Sequence, residues 1–237
     1  AVLITSGTSG TPKPVVLSRS AIRAATGATH ARLGGPGDWV LALPSHYVAG
    51  FMGHARAGVA GTQLRSVRTD LADLAETATG DRCYLSLVST QLVRAGQNPE
   101  VWRALRELDA VLLGGGSVDQ ALITRARAAG IPLVSTYGLT ETCGGVVYDG
   151  WPLDGVTVEL DAENRIILGG PTLFSGYRLL GELTAESMID GRLRTADRGR
   201  WHDGDLQVLG RVDDVIVSGG LTIDLAAVEK VVRAWAG

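Results

Sequence analysis

Lysine is nearly absent from this chain. Of 22 basic residues in 237, only Lys13 and Lys230 are lysines; the other 20 are arginines. Cysteine is as scarce, and two of them, Cys83 and Cys143, cannot build a disulfide framework or a thiolate metal cluster. No apolar run approaches the ~20 residues of a membrane-spanning helix, and no signal peptide is visible. Charge of one sign is missing too: the net value of −3 leaves no footprint for nucleic acid. We find no internal repeat and no low-complexity segment. These absences predict a cytoplasmic protein with neither a nucleic-acid nor a membrane partner. What is present, 45% hydrophobic and 20% charged residues, is the composition of a globular chain with enough length for one large or two modest domains.

The first 150 residues alternate apolar runs with helical patterns. "AVLIT", "VVLS", "DWVLALP", "DAVLLGGG" and "IPLVSTYG" read as buried strands, and 19–33, 69–79, 99–107 and 118–129 as helices, the last with Ser117 as its cap and Gly130 as its stop. That alternation predicts an α/β fold, a mostly parallel sheet layered with helices. After Tyr148 the segments "GVTVEL", "NRIILGG", "RLRTAD", "DLQVLG" and "DVIVSGG" are short and β-rich, which predicts a small antiparallel sheet or barrel. Residues 224–235 read as one more amphipathic helix. The expected divisions are 1–149, 150–212 and 213–237.

"TSGTSGTPKP", residues 5–14, crowds hydroxyls and glycines between two apolar strands. Such a loop offers backbone N–H groups and hydroxyls to an anion, and its glycines let the backbone approach closely. Lys13 adds a compact, mobile positive charge where an arginine would add a planar fork. By composition this is a phosphate cradle. It is not the Walker pattern, because Lys13 lies between two prolines, and "GGGSVD" at 114–119 lacks the third spaced glycine of a dinucleotide fingerprint. A flexible linker has a similar composition but seldom joins two apolar strands.

The same stretch closely resembles the phosphate loop of the acyl-adenylate-forming superfamily, with Pro14 where glycine is usual. "YGLTET" at 137–142, "TADRG" at 195–199 (Ala196 for the usual glycine) and "GRVDDVIVSGG" at 210–220 are similar to three further motifs of that superfamily, in order. Within it, "LPSHYVAG", "YLSLVSTQL", "LLGGGSV" and "GGVVYDGWPLDGV" are most similar to the branch of acid–CoA ligases that acts on o-succinylbenzoate.

The resemblance implies an acyl-adenylate intermediate followed by a CoA thioester, with ATP, Mg²⁺ and coenzyme A consumed or required and a small carboxylic acid as substrate. It implies that Thr5, Ser6, Gly7, Thr8, Thr11 and Lys13 hold the β- and γ-phosphates, that Thr140 contacts the α-phosphate and that Glu141 is the metal ligand, a hard donor suited to Mg²⁺. A glutamate there also suits a helix N-terminus, and the two roles can coexist. Gly115, Gly116, Ser117 and Tyr137 are implied to hold the adenosine, Asp197 and Arg211 the ribose; without the motifs, that last pair reads as a surface ion pair. For the acyl group the resemblance implies Ser86, Thr90, Gly114 and Thr136, with His46 or Tyr47 as a gate. The order of those two is inverted relative to the family's aromatic-then-histidine, and a lone loop histidine is as readily structural. The second carboxylate of such an acid calls for an arginine or amide dipole, which the sequence does not identify. Cys83 and Cys143 read as apolar filler.

In the superfamily a lid domain with a second catalytic lysine follows the hinge, at Asp213 here. Only 24 residues come after it, and their one lysine, Lys230, falls in the first helix. The expectation is a chain short of the family's full length at both ends, which binds the acyl-adenylate and turns over slowly. Two other readings stay open: an adenylating enzyme for a different aryl or acyl acid, and a lid-less nucleotide-binding module. Relatives leave a homodimer open as well.

Overall fold

A computed structural model describes residues 1–5, 12–116 and 119–212, together with the backbone of 215–218 and 221–224. β1 (Val2–Thr5) and β2 (Lys13–Val16) form an antiparallel hairpin with Thr5 opposite Lys13, so the hydroxyl-rich loop leaves and re-enters at those two residues. "AVLIT" and "VVLS" are therefore strands, but of a separate small sheet. A loop this short can only join antiparallel neighbours, because a parallel pair needs a crossover of a dozen residues or more. α1 (Arg19–Arg32) follows, capped by Ser18 Oγ, which accepts the Ala21 N–H at 3.0 Å.

The chain then builds its main sheet through β3 (Asp38–Leu41), α2 (Val48–Ala60), β4 (Leu64–Ser66), α3 (Leu74–Thr77), β5 (Cys83–Val88), α4 (Ser89–Ala95), α5 (Pro99–Arg106), β6 (Ala110–Gly114), α6 (Gln120–Ala128) and β7 (Leu133–Leu139). Strands β4-β3-β5-β6-β7 lie side by side and parallel. A single 3-10 turn, Thr140–Thr142, reverses the chain into β8 (Gly144–Tyr148) and β9 (Trp151–Pro152), which extend the sheet antiparallel. Side chains alternate across the pleat: Ala110 and Leu112 join one apolar cluster with Trp39 and Tyr84, while Val111 and Leu113 join the other with Leu85 and Leu105. Both faces are thus buried, as a parallel sheet requires.

Three helix expectations need correction. Helix 69–79 shrinks to α3, because Leu71 takes a left-handed backbone (φ 62°) that a helix cannot include. α6 is capped by Asp119 Oδ1, which accepts the Ala121 N–H at 2.9 Å; Ser117 lies outside the described residues. Of the helix read at 224–235, residue 224 ends a strand and 225–235 lie outside the described residues. α2 was not foreseen, since Gly50, Gly53 and Gly58 lower its intrinsic propensity. Gly50 is needed there, because a Cβ would run into the Pro44 carbonyl.

The remainder is antiparallel, as the short β-rich segments predict. β10 (Thr157–Leu160) and β11 (Arg165–Gly169) pair, and β12 (Gly176–Tyr177) instead returns to β2 and completes the small sheet in the order β1-β2-β12. After α7 (Gly181–Ser187) and β13 (Met188–Ile189), the long strand β14 (Arg192–His202) pairs with β11, β13 and β15 (Asp205–Arg211). β16 (Val215–Ser218) and β17 (Leu221–Asp224) form a hairpin.

Candidate functional site

Strand β7 and its 3-10 turn carry most of "YGLTET", at the carboxyl end of the parallel strands, where open α/β sheets bind ligands. The backbone folds sharply here. Cys143 adopts φ 58° and Gly144 φ 88°, and a Cβ on Gly138 would sit inside the Gly144 carbonyl oxygen. Only glycine at 138 lets β7 and β8 close this tightly. The turn presents Thr140 and Glu141 half-buried at its head.

Glu141 and Lys13 come together through a third residue. Tyr177, on β12, donates its phenol proton to Glu141 Oε1 at 2.7 Å, and the Lys13 ammonium lies 5.8 Å from the centroid of the same ring. Burial, and then the Glu141 charge, push the Tyr177 phenol above its ordinary pKa, so it is a donor at physiological pH. Thr5 stands across from Lys13, its hydroxyl 3.4 Å from the Lys13 carbonyl oxygen. Ser6, Gly7, Thr8 and Thr11 lie outside the described residues. Tyr177 sits in no motif that the sequence analysis used. Its signal was spatial: β12 reaches β2 across most of the chain.

A second group surrounds Asp197, which is 8% exposed on β14. Tyr137 donates to Asp197 Oδ2 at 2.8 Å, and Arg211, its cross-strand neighbour on β15, places Nη1 3.5 Å from Oδ1. Burial foremost, and Asp197 after it, raise the Tyr137 phenol above its usual value. Residues 137 and 141 share one segment, so the two groups are neighbours along it.

Of the residues expected to hold the acyl group, Gly114 ends β6 and Thr136 lies beside it on β7. Thr136 Oγ1 donates to the Leu113 carbonyl at 3.1 Å and would lie 2.8 Å from a Cβ on Gly114. Gly115 and Gly116 follow with φ of 81° and 105°, conformations that favour glycine. Ser86 is half-buried on β5, and Thr90 is exposed in the first turn of α4. His46 and Tyr47 are exposed just before α2, their rings 4.2 Å apart.

One residue that sequence reasoning missed is Arg56, on α2. It is 4% exposed, its guanidinium lies 4.7 Å from the Trp39 ring centroid, and its Nε has no hydrogen-bond partner. Burial, first among the causes, lowers its pKa. The Cys143 thiol is itself pushed up to about 12 by burial, so it is neutral. Histidine 30, across the Trp39 ring, is pulled down by burial and then by Arg56. A buried cation without an anion is costly.

The sequence model for the AMP-binding enzyme family matches residues 1–192. A probable 2-succinylbenzoate–CoA ligase from Mycobacterium tuberculosis is 42% identical over 233 residues, 94% of this chain and 60% of that protein. Bacillus subtilis o-succinylbenzoate CoA synthetase in complex with the acyl-adenylate intermediate superposes with a TM-score of 0.86 at 25% identity, over 98% of this chain and 53% of the other. The same enzyme with ATP and magnesium ion gives 0.86 at 25%, over 99% and 55%. The chain thus spans between half and two thirds of the length of the relatives it matches.

Proposed function

This chain belongs to the AMP-binding enzyme family, and from that premise we propose that it carries the nucleotide and acyl half of an AMP-forming acid–CoA ligase acting on 2-succinylbenzoate. The observation that supports this reading is the meeting of Lys13 and Glu141 at Tyr177, beside the Tyr137–Asp197–Arg211 group. In the first step the substrate carboxylate attacks the α-phosphorus of ATP, the bond to the bridging oxygen breaks, and pyrophosphate leaves. There is little covalent work for protein groups in such a step, so positioning and electrostatics carry it.

In this reading the Thr5–Lys13 hairpin, with Ser6, Gly7, Thr8 and Thr11 in its loop, grips the β- and γ-phosphates. Thr140 meets the α-phosphate. Asp197 and Arg211 take the ribose, and Gly115, Gly116, Ser117 and Tyr137 enclose the adenine. For Asp197 to receive a ribose hydroxyl, the Tyr137 phenol shares or yields its oxygen. Mg²⁺ accompanies the triphosphate and draws charge from its oxygens. The donor chemistry fits it: Glu141 offers carboxylate lone pairs that Tyr177 does not use, and Mg²⁺ ordinarily takes one or two carboxylates plus phosphates and waters. Among the described residues no cluster of three or more acidic, histidine or cysteine side chains offers a fuller cage.

The acyl ring would rest on Gly114 and Thr136, lined by Ser86 and Thr90 and gated by His46 or Tyr47. Arg56 is the candidate for the second carboxylate, because a buried guanidinium whose Nε has no acceptor gains from an incoming anion. The thiol of coenzyme A would then attack the acyl carbon of the adenylate, losing its proton, as the acyl–phosphate bond breaks and AMP leaves. Among the described residues no helix is long and apolar enough to cross a membrane; a cytoplasmic setting and a homodimer belong to this proposal.

ATP–pyrophosphate exchange with a panel of acids tests the reading. Slow exchange stimulated by 2-succinylbenzoate is expected. Stimulation by a different aryl acid would shift the substrate, and nucleotide binding with no exchange for any acid would leave a binding module.

A further inference from the structure

Tyr177 is a residue that no motif assigns, yet it touches both halves of the proposed phosphate site. It is 8% exposed and held on every side. Phe174 packs against its ring edge-on at 4.9 Å, and the Phe174 N–H donates to the Glu141 carbonyl oxygen at 2.7 Å. The Tyr177 N–H donates to Thr184 Oγ1 at 2.9 Å, and its backbone pairs with Val15 on the strand that begins at Lys13. Gly176, at φ 130°, permits this approach, since a Cβ there would meet Thr184 Cγ2 at 2.9 Å. Residues 174–177 are therefore tied to the Glu141 turn by backbone and side chain, and to the Lys13 hairpin by strand pairing and ring.

We propose that Tyr177 is a positioning residue that aims Glu141 at the metal of the metal–triphosphate complex. Its phenol occupies Oε1 and fixes the carboxylate, so that Oε2 is left for the cation. Its ring face keeps the Lys13 ammonium over the same place. A hydrogen bond to a charged acceptor is stronger and more directional than one between neutral groups. Without it, Glu141 must be ordered when the metal arrives, and that ordering weakens binding. The proposal rests on the ligase reading, but its consequence is narrower: Tyr177 matters to the magnesium-borne part of nucleotide affinity and not to the adenosine part, which is assigned to Tyr137, Asp197 and Arg211.

Calorimetric titration of the chain with AMP, with ATP in excess Mg²⁺, and with ATP in EDTA separates these parts. Tyr177→Phe should leave AMP affinity within about twofold and weaken Mg·ATP about tenfold, the order expected for one hydrogen bond to a charged group. ATP in EDTA should change little, so the magnesium advantage shrinks. Tyr177→His, which keeps a ring and a donor, should retain more of that advantage. Glu141→Gln should lose it, and adding Tyr177→Phe to Glu141→Gln should cost little more, because the two act as one unit. Equal losses for AMP and Mg·ATP, an unchanged Tyr177→Phe, or additive losses in the double variant would each overturn the proposal while leaving the ligase reading standing. A wild-type chain that binds neither AMP nor Mg·ATP overturns both.

Discussion

Arg56→Met should make this protein more stable and, on the proposed reading, less able to hold 2-succinylbenzoate. The residue is 4% exposed, its Nε has no hydrogen-bond partner among the described residues, and burial lowers its pKa. Replacing buried charge by apolar side chains of similar size is often stabilising by about 1–4 kcal/mol. Against this stands the contact with the Trp39 ring at 4.7 Å, and a desolvated cation–π pair contributes about 2 kcal/mol. Methionine restores part of the ring contact through its sulfur, about 0.3–1.5 kcal/mol, so the net gain should centre on about 1–2 kcal/mol. In a chain of this size each kcal/mol moves Tm by about 2–4 °C, which gives a rise of about 2–8 °C by differential scanning calorimetry. Binding should move the other way. A charge-assisted hydrogen bond to the second carboxylate is worth about 1.5–3 kcal/mol, or roughly a ten- to hundredfold loss of affinity for a non-hydrolysable 2-succinylbenzoyl-adenylate analogue. Benzoyl-adenylate, which lacks that carboxylate, should bind the variant and the wild type alike. A fall in Tm, or equal losses for both analogues, would refute the argument that this arginine waits for an anion.

Gly138→Ala should damage the fold at the head of the site. The new Cβ meets backbone, the Gly144 carbonyl, with no flexible side chain to give way. Overpacking costs about 1–3 kcal/mol and more when backbone must shift; a loss near about 3 kcal/mol lowers Tm by about 6–12 °C, with AMP binding weakened in the same variant. Histidine 30 sets a pH dependence. Its folded pKa lies below the ordinary value, through burial first and Arg56 second. Protonation therefore favours the unfolded chain. Stability should be full above the ordinary histidine range near 6.5 and fall as pH drops below it, until the folded ring also protonates. Arg56→Met should narrow that window by raising the His30 pKa, read by NMR titration of the ring. An acid limb that is the same in wild type and His30→Gln would remove histidine from the account.

What the sequence discloses here is local chemistry, and what it conceals is contact between distant segments. The two strands flanking the hydroxyl-rich loop were legible from their apolar runs, and both are strands. That they form a hairpin apart from the parallel sheet follows from the shortness of the loop, a constraint available in the sequence but overridden by the strand–helix rhythm that comes after. That β3, β6 and β7 lie in one parallel sheet follows from that rhythm, whereas β5, between β3 and β6, was not read as a strand. Helix α2 was hidden by three glycines, of which Gly50 serves a close approach to Pro44, so tertiary contact outweighed propensity. Tyr177 and Arg56 carried no motif. One acquires meaning from a two-residue strand that pairs far back along the chain, the other from an unfilled valence in a buried place.

The pairing of β12 with β2 has a consequence for synthesis of the chain. The ribosome makes the β1–β2 hairpin well before the strand that flanks it, which emerges only after the whole parallel sheet, and Asp197 and Arg211 come later still. On the proposed nucleotide site, a nascent polypeptide could not use nucleotide as an early folding partner. Stalled chains ending before Tyr177 should pass over an ATP resin unretained, whereas chains released beyond Arg211 should stay on it.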